Sequence, residues 1–121
     1  MSLGTVIASD VRLALTTWDR AVGFLDRSRL DGETGMWFPD CSAVHTAGMR
    51  VRLDIVFLGV RGRVMQLIAN APAWHIYRGG PWVRDTLELP AGTIASSGLR
   101  LGDLLGLEDA TVRMLWDNND G

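Results

Sequence analysis

The sequence has no lysine, a single cysteine and no long apolar run, and these shortages exclude several kinds of protein. The lone Cys41 excludes an internal disulfide and a zinc site built from several cysteines of this chain. No segment is long and apolar enough to cross a membrane as a helix. The first residues lack the basic region and apolar stretch of a signal peptide, which predicts a cytoplasmic location for the chain as it stands.

The charge pattern also argues against a nucleic-acid partner. All twelve basic residues are arginines scattered along the chain, and the net charge is −2. Domains that bind DNA or RNA usually carry a clustered basic surface, which this pattern does not provide. Phosphate-loop patterns and metal-ligand spacings are absent as well, so we expect no cofactor and no metal.

Length and composition predict one folded domain over residues 1–121. The chain is 47% apolar and 21% charged, which is typical of a globular protein. Residues 1–8 are expected to form an N-terminal extension, and the polar residues 117–121 a frayed tail. Glycine and proline recur at short intervals, which favours several short strands over long helices.

Apolar periodicity predicts a mainly β fold, a compact sandwich or barrel of about six to eight strands with two short helices packed on it. Two segments should be helical, 18–26 and 91–97, and Gly98 is placed to end the second. Residues 69–83 are predicted to be a long loop, and 99–105 to turn at Gly102-Asp103. The segments expected as strands are 11–15, 35–38, 53–58, 63–68, 86–89 and 111–116.

A series of short motifs runs in a characteristic order from Val11 to about Leu105. The motifs are Gly23-Phe24-Leu25 with Arg27 and Leu30, Gly35-Met36, Leu53-Asp54-Ile55-Val56-Phe57, Gly62, Asn70-Ala71-Pro72, Leu87 to Gly92, Gly98 and Gly102-Asp103. In this order and spacing the chain resembles the bacterial and archaeal family called domain of unknown function 192. The resemblance implies a compact β-sandwich or barrel with small helices, and it implies no particular activity.

The resemblance also bears on location and on subgroup. Many relatives carry an export signal or a lipid anchor, which implies an envelope location if an upstream signal has been removed. The common form has an aromatic-Met-Lys-Asn-Thr segment before the Leu-Asp strand, whereas residues 44–51 here read Val-His-Thr-Ala-Gly-Met-Arg-Val. Asp26 also stands where the first motif usually has an apolar residue. The chain therefore resembles a variant subgroup of the family. A family site that used the Lys-Asn-Thr side chains would lack them here.

One candidate site combines Cys41, His45 and Asp54. A thiolate, an imidazole that activates it and a carboxylate that orients the imidazole would form a nucleophilic triad. The same three side chains are also the residue types of a metal site. No cysteine-hydrolase signature surrounds Cys41, and a free cysteine is more often a small buried residue.

A second candidate is the pair Asp54 and Glu88, each the single carboxylate of an otherwise apolar strand. Alternation places Asp54 opposite Leu53 and Ile55, and Glu88 opposite its leucine neighbours. Burying a carboxylate is costly unless it is paired or hydrogen-bonded. Each should therefore meet Arg50, Arg52 or Arg84, accept backbone N–H bonds, or line a polar cavity shared by both acids.

A third candidate is the aromatic segment with Trp74, His75, Tyr77 and Trp82. Exposed rings flanked by glycine could stack on a sugar or on a peptide. The alternative is that the rings fold inward and close one end of the fold, since burial of large rings is strongly favourable. The region from Pro90 to Asp103 is interpreted as structural.

These candidates lead to three hypotheses. The first is a noncatalytic binding or accessory domain for an envelope-associated peptide or a saccharide. The second is a hydrolase that uses Cys41 and His45, or Asp54 and Glu88, and the third is a structural subunit of a protein complex. The residues expected to contact a ligand are His45, Arg50, Asp54, Asn70, Trp74, Tyr77, Trp82 and Glu88.

Overall fold

The computed structural model describes residues 4–14, 34–45, 52–72 and 75–116. Within these ranges the chain forms ten strands, a 3-10 turn and a short α-helix. The strands are β1 (Val6–Ala8), β2 (Asp10–Leu13), β3 (Thr34–Phe38), β4 (Ala43–His45), β5 (Leu53–Leu58), β6 (Val64–Ala71), β7 (Ile76–Arg78), β8 (Asp85–Pro90), β9 (Leu104–Glu108) and β10 (Thr111–Trp116). The mainly β prediction is confirmed, and three of the strands are only three residues long.

The largest sheet has five strands in the order β2-β3-β8-β5-β6. All six residues of β5 are buried, as its β-branched and apolar composition predicts. β2 and β3 pair in parallel, whereas β5 pairs antiparallel with both β6 and β8. The strands predicted over 53–58 and 63–68 are confirmed as β5 and β6, and they form a hairpin in which the chain reverses through the 3-10 turn Val60–Gly62.

Gly62 is required at this turn by its backbone and by its surroundings. Its φ of +76° is accessible to glycine at little cost. A Cβ at this position would also collide with the carbonyl oxygen of Leu105 in β9. The next residue, Arg63, forms a bridge with Leu104. This turn therefore joins the five-stranded sheet to a second sheet.

The second sheet has three strands in the order β1-β10-β9. β9 and β10 form a hairpin whose two turn residues, Asp109 and Ala110, have φ of +50° and +62°. Two positive φ values match the twist of a two-residue hairpin. β10 confirms the strand predicted over 111–116. β9 was not predicted, because residues 99–105 were assigned as a whole to the turn at Gly102-Asp103 and the strand that follows it was overlooked.

The fold buries apolar side chains on both faces of the five-stranded sheet. We call the group between the two large sheets the first cluster and the group on the opposite face the second cluster. The first cluster includes Val56, Leu58, Leu87, Leu89, Leu105 and Val112. The second includes Met36, Phe38, Val44, Leu53, Ile55, Phe57 and Val83, with Tyr77 packed against it. The described strands form a sandwich and do not close into a barrel.

The second face is covered in part by a two-stranded ribbon. β4 and β7 pair antiparallel to form this ribbon, with Val44 opposite Tyr77. The prediction of a structureless loop over 69–83 is therefore wrong, since β6 runs to Ala71 and Ile76–Arg78 form β7. Three residues of strand between glycines and prolines give little periodicity, and their pairing partner lies more than thirty residues earlier in the chain.

The helix α1 spans Thr93–Ser97 and is shorter than the predicted segment 91–97. It ends at Gly98, whose φ is +72°, so the predicted end is confirmed. The Thr93 hydroxyl donates to the carbonyl oxygen of Pro90 at 2.7 Å, which fixes the first turn. The helix predicted over residues 18–26 lies outside the described residues.

Candidate functional site

Asp54 is fully buried in the middle of the sheet, and both of its carboxylate oxygens are occupied. Oδ1 accepts the backbone N–H of Asn70 at 2.8 Å, and Oδ2 accepts the backbone N–H of Ile94 at 2.7 Å. Bonds from N–H groups to a charged acceptor are short and strong, and they offset the cost of burying the carboxylate. Of the alternatives given for Asp54, acceptance of backbone N–H bonds is the one observed.

The two donors explain why a carboxylate stands at this position. Asn70 has φ of +55° beside an irregularity in the register between β5 and β6. Ile94 is the second residue of α1, where an N–H has no partner within the helix. Asp54 therefore ties the end of β6 to the start of α1. It also supplies the anion at this helix start, in line with the structural interpretation of residues 90–103.

Glu88 lies on the neighbouring strand and has a different environment. Its side chain is 4% exposed, and its register partners are Met36 on β3 and Ile55 on β5. None of the hydrogen bonds among the described residues involves its carboxyl group. Burial raises the pKa of Glu88 to about 8, so the group holds its proton at neutral pH.

The structure does not bring Asp54 and Glu88 together in one cavity. Asp54 is in register with Leu89, and Glu88 with Ile55. Because side chains alternate between faces, Asp54 points to the first cluster and Glu88 to the second. The expectation of a shared polar cavity is therefore wrong, and with it the hypothesis that these two acids act as an acid and base pair.

Cys41 is half-buried and packs against the second cluster. Its thiol donates to the carbonyl oxygen of Ala43 at 3.0 Å. The Cys41 carbonyl accepts the Thr86 hydroxyl at 2.7 Å. Asp54 faces the first cluster, so the triad of Cys41, His45 and Asp54 is wrong in its third member. His45 ends β4, and its side chain lies outside what is described.

Trp82 is a large ring that the fold leaves in solvent. Its side chain is 76% exposed, the most of any large apolar side chain among the described residues. The prediction of an exposed ring is thus met at Trp82. Arg50 and Trp74, also expected at the ligand face, lie outside the described residues.

Tyr77 meets the alternative prediction, because its ring turns inward. It packs against the second cluster, and its hydroxyl donates to the carbonyl oxygen of Pro72 at 3.0 Å. The ring of His75 lies 5.9 Å from that of Tyr77, tilted by 30°. The aromatic segment therefore divides into an inward part on β7 and an outward part at Trp82.

The turn that presents Trp82, residues 80–83, is fixed at both ends. The N–H of Val83 donates to the carbonyl oxygen of Gly80 at 3.0 Å, which closes the turn. Gly80 in turn donates to Oε1 of Gln66 on β6 at 2.6 Å. On the other side, the N–H of Arg84 donates to the carbonyl oxygen of Leu58 at 2.7 Å. The exposed indole therefore stands on an ordered support.

The chain beside this turn carries further exposed groups. Residues 82–84 run next to 58–60, since Gly59 lies against the carbonyl oxygen of Trp82. Val60 is 58% exposed, and the Arg61 and Arg84 side chains are exposed without hydrogen bonds or ion pairs among the described residues. We call Trp82, Val60, Arg61 and Arg84 the Trp82 face. It combines two exposed apolar side chains with two exposed cationic ones.

The sequence prediction included Trp82 but missed the other three residues of this face. The available signal was the turn Gly59-Val60-Arg61-Gly62, which places a β-branched residue at a hairpin end where side chains normally meet solvent. Its proximity to Trp82 depends on the pairing of β5 with β8, which brings the chain ends at residues 58 and 85 together. No local pattern shows that pairing.

The described residues also bear on a metal site and on a membrane-spanning helix. Histidine, cysteine and carboxylate side chains nowhere form a group of three or more that could hold a metal ion there. None of the helices in those ranges has the length and apolar character needed to span a membrane.

Comparisons with known proteins agree on the fold. The family model DUF192, described as uncharacterized ACR, matches residues 2–107. A protein of unknown function from Novosphingobium aromaticivorans has a crystal structure with 28% sequence identity and a TM-score of 0.69, which covers 88% of this chain and 74% of that one. A protein from Sinorhizobium meliloti, described as a candidate transcription regulator, has 23% identity and a TM-score of 0.71, with 88% and 80% covered. A search of curated proteins gave no match.

Proposed function

The chain belongs to the DUF192 family, and since no activity comes with that membership, we propose from the site itself that this protein is a noncatalytic binding or accessory domain. Its ligand face would be the Trp82 face, and its ligand an acidic segment of a partner polypeptide. The observation that carries the proposal is an indole left 76% exposed on a turn that is hydrogen-bonded at both ends.

Exposed tryptophan on an ordered support is the kind of residue that dominates protein interfaces. Tryptophan and arginine are enriched among the side chains whose truncation costs the most binding energy. A turn whose backbone is already hydrogen-bonded loses little conformational freedom when a partner binds. The support of residues 80–83 by Gln66 and Leu58 therefore prepares Trp82 for binding.

The charge at the margin favours an acidic polypeptide over a neutral saccharide. Arg61 and Arg84 have no internal partners among the described residues, so both guanidinium groups are available to carboxylates. Val60, on the neighbouring turn, is 58% exposed and adds aliphatic surface that a peptide side chain can cover. By the resemblance given above, the partner would lie in the cell envelope if an export signal precedes the chain, and in the cytoplasm if none does.

The hydrolase alternative has less support. Each oxygen of Asp54 is held by a backbone N–H, Glu88 faces the other side of the sheet, and the Cys41 thiol donates to a backbone carbonyl. No described nucleophile and base contact one another. The binding proposal uses none of these groups.

The test is selection of a displayed peptide library against the immobilised protein, followed by affinity measurements on synthetic peptides. We expect the enriched peptides to be acidic. Trp82→Ala should weaken binding at least tenfold, because truncation of an anchor residue usually costs more than about 1.4 kcal/mol. The free energy of unfolding should change by less than about 0.5 kcal/mol, since the ring is exposed.

Leu101→Ala is the matched control, because Leu101 is an apolar residue that is 54% exposed and lies outside the Trp82 face. It should leave peptide affinity unchanged. Peptides that bind the Trp82→Ala variant as well as the parent protein would refute the proposal. Binding of an oligosaccharide array through Trp82, with no enriched peptide, would replace the polypeptide ligand with a saccharide.

A further inference from the structure

Glu88 is a buried acid on the face of the sheet that carries the second cluster. The residue is 4% exposed, and its carboxyl takes part in none of the hydrogen bonds among the described residues. Buried polar groups in native proteins nearly always have a partner, so an exception calls for an explanation. Asp54, one strand away, shows that this fold can provide two donors to a buried carboxylate.

The surroundings of Glu88 contain few groups that could compensate a charge. On its face of the sheet, β3 presents Met36 and Phe38, and β5 presents Leu53, Ile55 and Phe57. From the elements packed on that face come the titratable groups of Tyr77 and Cys41. Both of these donate to backbone carbonyl oxygens, of Pro72 and Ala43 respectively. Arg12 on β2 lies on the same face, in register with Met36, but its side chain is exposed and makes no ion pair or hydrogen bond with Glu88.

The same face carries the elements that lead to the Trp82 face. Val44 and Tyr77 of the ribbon and Val83 of the Trp82 turn all pack into the second cluster. Gly79, which connects β7 to that turn, lies against the Val83 side chain. Its N–H also donates to the carbonyl oxygen of Ser42 at 2.7 Å. A charge on Glu88 would therefore be buried in the cluster that holds both the ribbon and the turn.

We propose that the protonation state of Glu88 controls how the ribbon and the Trp82 turn pack on the second cluster, and so regulates binding at the Trp82 face. The protonated carboxyl is compatible with an apolar cluster, whereas the carboxylate draws water and favours a looser packing of the ribbon. The regulatory part of this inference rests on the proposed function. The structural part does not need a ligand.

The structural part is tested by hydrogen exchange of the backbone amides of residues 42–45 and 76–79, compared between the parent protein and Glu88→Gln at the same pH. This comparison cancels the intrinsic pH dependence of exchange. The parent-to-variant ratio of exchange rates should rise on the order of 10- to 30-fold between pH 6.5 and pH 9, because a pKa of about 8 places ionisation in this interval. At each pH the ribbon amides should exchange faster than those of β10.

Two results would overturn the structural part. One is a ratio that stays constant for the ribbon. The other is equal protection of the ribbon and β10 amides. That result would mean that the ribbon opens only when the whole protein unfolds, and not by local loosening around Glu88. Glu108→Gln is the control, because Glu108 is an exposed glutamate on β9, and this variant should keep the pH dependence of the parent. Glu88→Leu should behave like Glu88→Gln, which guards against an effect specific to glutamine.

The regulatory part is tested with an acidic peptide from the selection described above. Its affinity should fall on the order of tenfold between pH 6.5 and pH 9 for the parent protein and stay constant for Glu88→Gln. Arginine and peptide carboxylates keep their charges over this range, so they contribute no pH dependence. Constant affinity in the parent would overturn the regulation. Absence of any peptide binding would refute the proposed function while the exchange result still stands.

Discussion

The two faces of the five-stranded sheet each bury one carboxylate, and the fold treats the two differently. On the face toward the second sheet, Asp54 accepts two backbone N–H bonds and links β6 to α1. On the opposite face, Glu88 is surrounded by apolar side chains and holds its proton, because burial raises its pKa to about 8. An acid within an apolar strand can thus serve as a structural acceptor or remain sensitive to pH, depending on which donors reach it.

The sharpest test of the first half of this comparison is Asp54→Ala. Without the carboxylate, the N–H groups of Asn70 and Ile94 lose their acceptor inside the protein, and each loss of a charge-assisted bond is expensive. We expect the free energy of unfolding at pH 7 to fall by about 3–5 kcal/mol, as measured by urea denaturation.

Asp54→Asn provides the matched comparison, since its single side-chain oxygen can accept only one of the two bonds. It should lie between the parent protein and Asp54→Ala. A loss of under about 1 kcal/mol for Asp54→Ala would show that water replaces the carboxylate easily, and the contrast between the two faces would then disappear.

The second prediction concerns the pH dependence that Glu88 adds. The folded protein holds this proton up to about pH 8, whereas the unfolded chain releases it near the ordinary value of 4.5. The contribution of the group to stability is therefore complete below pH 4.5 and is lost as the pH rises to about 8. This is the reverse of the usual behaviour of a carboxylate held by an ion pair.

Glu88→Gln should lack this loss, because glutamine does not titrate. We expect the free energy of unfolding of the variant, relative to the parent protein, to increase by about 2–4 kcal/mol between pH 5 and pH 9. Urea denaturation at a series of pH values measures the difference. Parallel pH profiles for the two proteins would mean that Glu88 is ionised and satisfied at neutral pH.

The third prediction concerns the Gly62 turn, which links the five-stranded sheet to the three-stranded sheet on the face that carries Asp54. Gly62→Ala should destabilise the protein by about 2–3 kcal/mol, since the new methyl group would collide with the Leu105 carbonyl at a position that already has positive φ. Gly98→Ala has a similar φ of +72° and open space around it, so it should cost only about 1 kcal/mol. Equal losses in thermal denaturation would show that backbone strain alone decides both.

Much of the fold could be predicted from local pattern. The strand Leu53–Leu58 and the strand over 111–116 have the composition and length that their burial demands, and both were predicted with the observed bounds. Gly62 and Gly98 marked a turn and a helix end because positive φ is costly for other residues. The family resemblance was likewise carried by short motifs in order. The ribbon was missed because three-residue strands contain too few side chains to show a period.

The candidate site could be predicted only in part. Alternation along β5 and β8 correctly placed each acid opposite its apolar neighbours. For the aromatic segment both exposed and inward rings stayed open, and the structure shows one of each, at Trp82 and Tyr77. The relative phase of the two strands was not accessible, since a shift of one residue in register moves a side chain to the other face. The expected cavity shared by Asp54 and Glu88 failed for this reason.

The sequence by itself determined that this chain folds as a mainly β domain and that two carboxylates stand within apolar strands. Those features follow from nearest-neighbour properties, namely side-chain periodicity and the φ preferences of glycine. Tertiary structure alone decided that Asn70 and Ile94 reach Asp54, that no described donor reaches Glu88, and that Gly59 lies against the backbone of Trp82. Such contacts join residues far apart in the chain, and the register of the paired strands, which sets them, is a property of the assembled sheet.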